Sequence, residues 1–575
     1  MSKFFPFLDW FKTYNTSFLK GDLSAGLTVG VMLIPQGMAY AMIAGLPPVY
    51  GLYASITPLI IYALLGTSRQ LAVGPVAMVS LLTASGVGLI AETGTENYIA
   101  LAITLALIIG IVQFLLGLFR LGFLVNFLSH PVISGFTSAA ALIIGLSQLK
   151  HLLGVDIPRS HHIHEILLNA FEQFSDINWL TFGVGIIGIA VIIFTKKINK
   201  SLPGQLFSVI FGILAVWGLG LADSGVKILG EVPNSLPSFA LPIFGWETIQ
   251  TMFPIALAIS LVSFMESIAV AKAIQSKHKD YKVAPNQELI ALGMANIVGS
   301  FFQSYPTTGG FSRTAVNDQA GAKTGVASFI SAALIILTLL FLTPLFSNLP
   351  KAILASVIMV AVFGLIDYKE AIHLWKSHKT DFWLLVVTFI ATLTLGIEKG
   401  IGLGVILSLA MVIFRTTKPH VAVLGNIPGT HFYRNSKRFG EVVLRDEVLI
   451  IRFDAQLYFG NINFFKEKLE ELTAEKGKKL RVIIINAESM NSLDSSAVHA
   501  LNEILDNYRS RNIEICFTGV KGPVRDAMER GGIFDKIGKD NFFMSIQEAV
   551  DCYIIKCNDE ITQPKFGEYT MQANQ

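Results

Sequence analysis

The sequence predicts a polytopic α-helical membrane protein of about fourteen spans, in two related halves of about seven each, followed by a C-terminal α/β domain. Three observations carry this prediction. The 575-residue chain is 52% hydrophobic and only 15% charged, with a mean hydropathy of +0.58, too apolar for a chain surrounded by water. Apolar stretches near spanning length follow one another from Leu23 to Thr417, and after Lys418 the composition turns charged and alternating. Two short spans at matching positions in the halves each follow a Gly/Pro cluster, a mark of inverted repeats.

Taken in order, residues 1–22 carry Lys3, Lys12 and Lys20 among aromatic residues, with no apolar core leading to a small-residue cleavage site. They read as an uncleaved, amphipathic cytosolic lead-in. Residues 23–418 hold the spans, expected near 24–42, 49–66, 76–91, 98–118, 125–149, 178–195 and 204–222, then 249–275, 285–302, 311–322, 326–346, 352–367, 381–396 and 400–416. Charge tests that count, because Lys and Arg collect in cytosolic loops. Arg69, Arg120, Lys196/Lys197/Lys200, Lys272/Lys277/Lys279/Lys282, Lys323, Lys369/Lys376/Lys379 and Arg415/Lys418 fall on the side of the N-terminus; the other side has Lys150, Arg159, Lys227, Lys351 and Lys399. One missed crossing would scramble this asymmetry, so both termini are expected in the cytosol.

Several classes are excluded. The net charge of +3 is small and forms no basic stripe, so nucleic acid is not an expected partner. Cys516, Cys552 and Cys557 all lie in the polar last quarter, which leaves the membrane part without disulfides and fits a reducing compartment. Gly321-Ala322-Lys323-Thr324 lacks the glycine spacing of a phosphate loop, so ATP is not the expected energy source. His161-His162-Ile163-His164-Glu165, with His151, falls in an external loop without a closed ligand pattern and is not read as a metal site. With no recognisable nucleophile–base pair or cofactor loop, neither an enzyme nor a cofactor is expected.

The short spans carry the chemistry. One follows Val73-Gly74-Pro75 and the other Tyr305-Pro306-Thr307-Thr308-Gly309-Gly310. Half-helices starting near the bilayer midplane leave amides without intrahelical partners and turn the positive dipole end toward a cavity, which suits an anion. Gly and Pro also simply kink membrane helices. Pro75 fits the first position of a helix beginning near Val76, with Ala77 and Ser80 facing the cavity or its wall. Gly310, Phe311 and Ser312 would present amides on the other side, and Arg313 adds a permanent positive charge, unless it serves as a structural ion pair or snorkels.

Glu266 lies mid-span, and at helical spacing Ser263, Glu266, Ser267 and Val270 share one face turned away from lipid. A carboxyl there can carry a proton, coordinate Na⁺, or stay protonated in a packing hydrogen bond. Gln36, between Pro35 and Gly37, can bond an anion, a coupling residue or a neighbouring helix.

These stretches together resemble the SulP sulfate permease family, also called solute carrier family twenty-six. The resemblance rests on Pro35-Gln36-Gly37-Met38-Ala39-Tyr40, Ala44-Gly45-Leu46-Pro47-Pro48-Val49-Tyr50-Gly51-Leu52-Tyr53, Gly66-Thr67-Ser68-Arg69, Val73-Gly74-Pro75 and Pro131-Val132-Ile133-Ser134-Gly135-Phe136. It continues through Glu266-Ser267, Asn286-Gln287-Glu288-Leu289 and Phe311-Ser312-Arg313-Thr314. The resemblance implies a uracil-permease-like core of inverted repeats, an elevator motion of core against gate, a homodimer, and an anion held between the third and tenth spans, at Val76, Ala77, Phe311, Ser312 and Arg313. Relatives with an acid at Glu266 look proton-coupled. A bicarbonate-type relative holds Na⁺ with an Asp there and a Thr one turn later, where this chain has Val270. The implied activity is secondary active transport of a small inorganic anion across a bacterial inner (plasma) membrane, with proton-coupled sulfate uptake foremost. Na⁺-coupled bicarbonate symport, proton-coupled dicarboxylate symport and an anion exchanger or channel are the alternatives. In a third class the spans merely tether or sense for the C-terminal domain.

After a linker at 419–440, residues 441–557 read as β-strands alternating with helices: Val442–Leu444 and Val448–Phe453, Ile462–Ala474, Leu480–Ile485, Ser495–Arg511, Glu514–Thr518 and Pro523–Arg530. Residues 558–575 form a tail. Asp494-Ser495-Ser496-Ala497 resembles the Asp-Ser-Ser-Gly loop of anti-sigma-factor antagonists, the STAS type, which makes Ser496 a phosphorylation candidate. Ala497 departs from that pattern, and Ser at a helix start is by default an N-cap. The resemblance implies regulation or assembly, with a cytosolic protein as a candidate partner.

Overall fold

The computed structural model describes residues 5–123, 129–157, 163–198, 202–243, 245–278 and 280–559. The chain divides into two compact units, Met1–Leu409 and Ala410–Gln575. Residues of the expected 125–149 span before Ser129, the histidines His161 and His162, and the tail beyond Asp559 lie outside the described residues.

The first unit is helical. Among the described residues seven helices are long and apolar enough to cross a membrane, and four shorter apolar helices accompany them. The first begins at Thr16, ahead of the expected boundary, because the Asn15 side chain caps it by accepting from the Phe18 amide. It ends at Ile43, where Gly45, at φ +82°, takes the left-handed conformation. The Gly45 amide then donates to Met42 O (3.1 Å) and the Leu46 amide to Ala41 O (2.9 Å), a closed C-terminal cap. The 49–66 span divides into Val49–Tyr53 and Thr57–Leu65, the second restarting with Pro58 in its first turn. The 326–346 stretch is α-helical only to Leu337, loosens into a π turn and ends as a 3₁₀ turn around Pro344, which has no amide to continue the ladder.

Glycines decide the closest packing. A Cβ at Gly51 would lie 1.9 Å from Gly37 O, and one at Gly293 would lie 2.5 Å from Phe114 N, so backbone meets backbone at both places. Buried carboxylates close the loops between helices. Glu288 Oε1 accepts from the Thr67 amide (2.7 Å), Thr67 Oγ1 (2.5 Å) and the Ser68 amide (3.2 Å), while Oε2 accepts from Tyr62 (2.6 Å). Asp22 accepts from the amides of Lys323 (2.6 Å) and Thr324 (2.9 Å) and from the Thr324 hydroxyl (2.5 Å). Two motifs far apart in sequence, Gly66–Arg69 and Asn286–Leu289, are thus one hydrogen-bonded joint.

The two short spans meet. Strand β1 (Val73–Gly74) pairs antiparallel with β2 (Thr308–Gly309), Val73 opposite Gly309 and Gly74 opposite Thr308. Each strand feeds a short helix, Ala77–Gly88 or Phe311–Gln319.

The second unit is an α/β domain around a six-stranded sheet, in the order β4-β3-β5-β6-β7-β8. Its strands are β3 (Val421–Asn426), β4 (Tyr433–Asn435), β5 (Val448–Phe453), β6 (Val482–Asn486), β7 (Glu514–Thr518) and β8 (Phe542–Phe543). Strands β5 to β8 run parallel, and β3 is antiparallel to both neighbours. Alternation along the strands makes two cores: Leu449 and Ile451 face Phe465, Leu501 and Val524, while Val448 and Ile450 face Ala549 and Val550 of the Ile546–Asp559 helix. The expected linker at 419–440 holds two strands of this sheet: Val421–Val423 pair with β5 and Leu424–Asn426 with β4. The expected strand at Val442–Leu444 is reduced to one bridge, Val443 to Asn426.

Candidate functional site

Both short helices begin without a side-chain cap, at Val76 and at Gly310, each in extended backbone. Their first intrahelical bonds are Ser80 N to Val76 O (2.9 Å) and Thr314 N to Gly310 O (3.0 Å), which leaves the amides of the preceding residues outside the helical ladder. The helix starts at Ala77, one residue later than expected, and Pro75 precedes the cap. That displacement frees the Pro75 carbonyl, which accepts a hydrogen bond from Arg313 Nη1.

Arg313 is 1% exposed, with its head held close over Gly310: a Cβ there would lie 2.9 Å from Nη2 and 3.1 Å from Cζ. Nη1 is spent on Pro75, and Nε and Nη2, which form one edge of the guanidinium, are buried without a partner among the described residues. Two parallel donors on one edge match two oxygens of an oxyanion.

A cavity of about 380 Å³ is lined in part by Arg313. It brings together Gln36, Val76, Ala77, Glu266, Gly310, Phe311, Ser312 and Arg313. Gln36 Oε1 and Glu266 Oε2 are, like the arginine edge, buried and without a partner among the described residues. Phe311 stands 61% exposed beside them. Sequence reasoning missed Tyr40, Met32 and Thr28 on the same wall. The signal was present, since these residues stand at intervals of four from Gln36 along one helix. The opposite wall, with Ile192, Lys196, Gln205, Val360 and Ala361, had none.

The remaining polar residues near Glu266 do not line the cavity. Ser80 Oγ lies 3.1 Å from the Tyr305 hydroxyl, and both residues are fully buried. Ser263 accepts from Gln113 Nε2 (2.8 Å) and Ser267 bonds β2, so the predicted stripe divides between helix packing and the strand crossing. Asn296 fixes the chain before β2, accepting from the Thr307 amide at 2.8 Å.

In the second unit the cap before Ser495–Ser510 is Asp494, whose Oδ1 accepts from the Ala497 amide (2.7 Å) while Oδ2 accepts from the Phe459 amide (2.8 Å). This corrects the expectation of a serine cap. An aspartate one residue earlier does that work and leaves Ser496 exposed on the first turn.

The model of the sulfate permease family matches residues 19–388, and that of the STAS domain residues 441–549. The chain belongs to the sulfate permease family. It is 42% identical over 564 residues to "Sulfate transporter 4.1, chloroplastic" of Arabidopsis thaliana, covering 95% of this chain and 82% of that protein. It is 35% identical over 573 residues to "High affinity sulfate transporter 2" of Stylosanthes hamata, covering 96% and 86%. Among solved structures it resembles the murine Solute Carrier 26 family member A9 anion transporter in the inward-facing state, with TM-score 0.88, 26% identity and coverage of 96% and 94%. The transmembrane domain of a cyanobacterial bicarbonate transporter, BicA, shares the fold at TM-score 0.60 and 23% identity, covering 69% and 98%. This sulfate permease family member is a multi-pass membrane transporter with a C-terminal STAS domain, not an enzyme.

Proposed function

We propose that the protein is a secondary active anion transporter that takes up sulfate together with protons. The observation that carries this reading is the convergence around one cavity of two uncapped helix starts, Arg313 with its unpartnered Nε and Nη2, and Glu266 with its unpartnered Oε2. Sulfate offers two oxygens to the guanidinium edge and the rest to the helix amides, with Gln36, Val76, Ala77, Gly310, Phe311 and Ser312 completing the site. Glu266 carries the coupling proton: a dianion beside an ionised carboxylate is repelled, so protonation and anion binding favour each other. The names of the plant relatives support sulfate as the cargo.

Na⁺ fits this site less well. Its natural ligands beside Glu266 would be the hydroxyls of Ser267 and Thr308, but these are already held by hydrogen bonds to each other, to the Gly309 amide and to Ser263 O, and Val270 one turn on offers no side-chain oxygen. The wider proposal has about fourteen crossings, both termini cytosolic, an inner (plasma) membrane, a homodimer and an elevator motion. Lys196, from the basic side, lines the cavity, which supports an inward-open state. Domain limits follow the sequence reading, except that the STAS unit includes β3 and β4. Phosphorylation of Ser496 and a cytosolic partner of this unit remain proposals of the same kind.

Radiolabelled sulfate uptake into proteoliposomes, with and without an inward proton gradient, tests this reading. Wild-type uptake should rise with the gradient, and Glu266→Gln should abolish that rise. Uptake indifferent to the gradient in both proteins would leave an exchanger or channel. A folded protein with no sulfate uptake would turn the search to bicarbonate with Na⁺, then dicarboxylates.

A further inference from the structure

Between the Glu266 helix and the strand crossing lies a closed chain of hydrogen bonds. Ser267 Oγ and Thr308 Oγ1 are 2.7 Å apart, the Gly309 amide donates to Ser267 Oγ at 2.8 Å, and Thr308 Oγ1 donates to Ser263 O at 2.8 Å. Proton counting fixes the directions. Each hydroxyl has one hydrogen; that of Thr308 goes to Ser263 O, so that of Ser267 goes to Thr308 Oγ1, and the lone pair of Ser267 receives the Gly309 amide. Ser267 and Thr308 are fully buried, so removing either hydroxyl leaves a buried partner to satisfy.

The network joins the two ends of the proposed coupling. Ser267 is the neighbour of Glu266 in sequence, and Gly309 immediately precedes Gly310, the residue that starts the Arg313 helix. Gly309 is also paired to Val73 of β1, so the same bonds reach the start of the Ala77–Gly88 helix. Ser263, one turn before Ser267, supplies the second attachment, which prevents the strand from pivoting about a single bond.

We infer that Ser267 and Thr308 are positioning residues that transmit the state of Glu266 to the anion site, so that they set how tightly proton and anion movement are linked and not whether the anion binds. This rests on Glu266 being the coupling group.

The test measures sulfate affinity of the purified protein, and steady-state sulfate accumulation driven by a proton gradient in proteoliposomes, for wild type, Ser267→Ala, Thr308→Val, Thr308→Ser and Glu266→Gln. Ser267→Ala and Thr308→Val should bind sulfate within about threefold of wild type yet accumulate it about fivefold less or worse, the scale of a lost coupling energy of about 1 kcal/mol. Thr308→Ser keeps the hydroxyl and should restore accumulation, which a purely volumetric or folding defect would not allow. If Ser267→Ala and Thr308→Val accumulate sulfate like wild type while Glu266→Gln does not, the inference falls and proton coupling stands. The inference also falls if Thr308→Ser is as impaired as Thr308→Val. If Glu266→Gln accumulates sulfate normally, proton coupling itself falls, and the inference with it.

Discussion

Replacing Arg313 with lysine keeps a positive charge in the cavity but removes the planar fork. A lysine ammonium brings one compact group of donors where arginine now holds the Pro75 carbonyl with Nη1 and keeps a second, unpartnered edge. In the proposed sulfate complex the Nε–Nη2 edge makes two charge-assisted hydrogen bonds, and the shorter lysine keeps at most one. Losing one such bond costs about 1.5–3 kcal/mol, or roughly 10- to 150-fold in Kd. Burial puts the effect toward the upper part of that range, since the residue is 1% exposed and water does not screen it. Equilibrium binding of radiolabelled sulfate to purified protein separates this from turnover. A Kd within about threefold of wild type would refute the argument that the guanidinium edge holds the anion.

Three further outcomes follow from the packing and charge of each unit. Gly51→Ala places a Cβ 1.9 Å from Gly37 O, which no rotamer can relieve; overpacking of about 1–3 kcal/mol should appear as a lower thermal midpoint in detergent. Glu288→Gln turns part of an acceptor that receives four hydrogen bonds into a donor, and loss of about 3 kcal/mol or more should show in the same assay. In the STAS unit, burial raises the pKa of Asp454 but Arg452 and His420 outweigh it, leaving the carboxyl below the usual carboxylate range. Its contribution to stability is therefore complete above the ordinary aspartate value and fades as pH falls through the lowered one. Hydrogen exchange of β5 amides should speed up over that acid window in wild type and change less in Asp454→Asn.

The helices of the first unit were legible because lipid demands apolar runs of defined length, and the cavity because Gly, Pro and Arg are conspicuous there. Arg313 and Gly310 announce themselves by being out of place among apolar residues; Tyr40 and Val360 do not, since a cavity wall and a packed helix face use the same residue types. The boundary errors have local causes. Asn15 extends the first helix through a side-chain bond, and Pro75, standing outside its helix, gives its carbonyl to an arginine 238 residues away. No reading of neighbours in sequence anticipates a partner at that distance. The strand within 419–440 escapes sequence reading for a different reason: β3 stands outside the alternation of strands and helices, and its identity as a strand comes from pairing with β5 on one side and β4 on the other.

The β1–β2 pairing assigns one strand of the crossing to each half of the chain. Neither half contains a complete site, since the carbonyl that holds Arg313 belongs to the first and the arginine to the second. Folding of the crossing therefore requires both halves of the chain to be present together. Carrying both on one chain makes that encounter certain. A chain cut in the connection between residues 223 and 245 should accordingly regain its cargo only when both fragments are made in the same membrane.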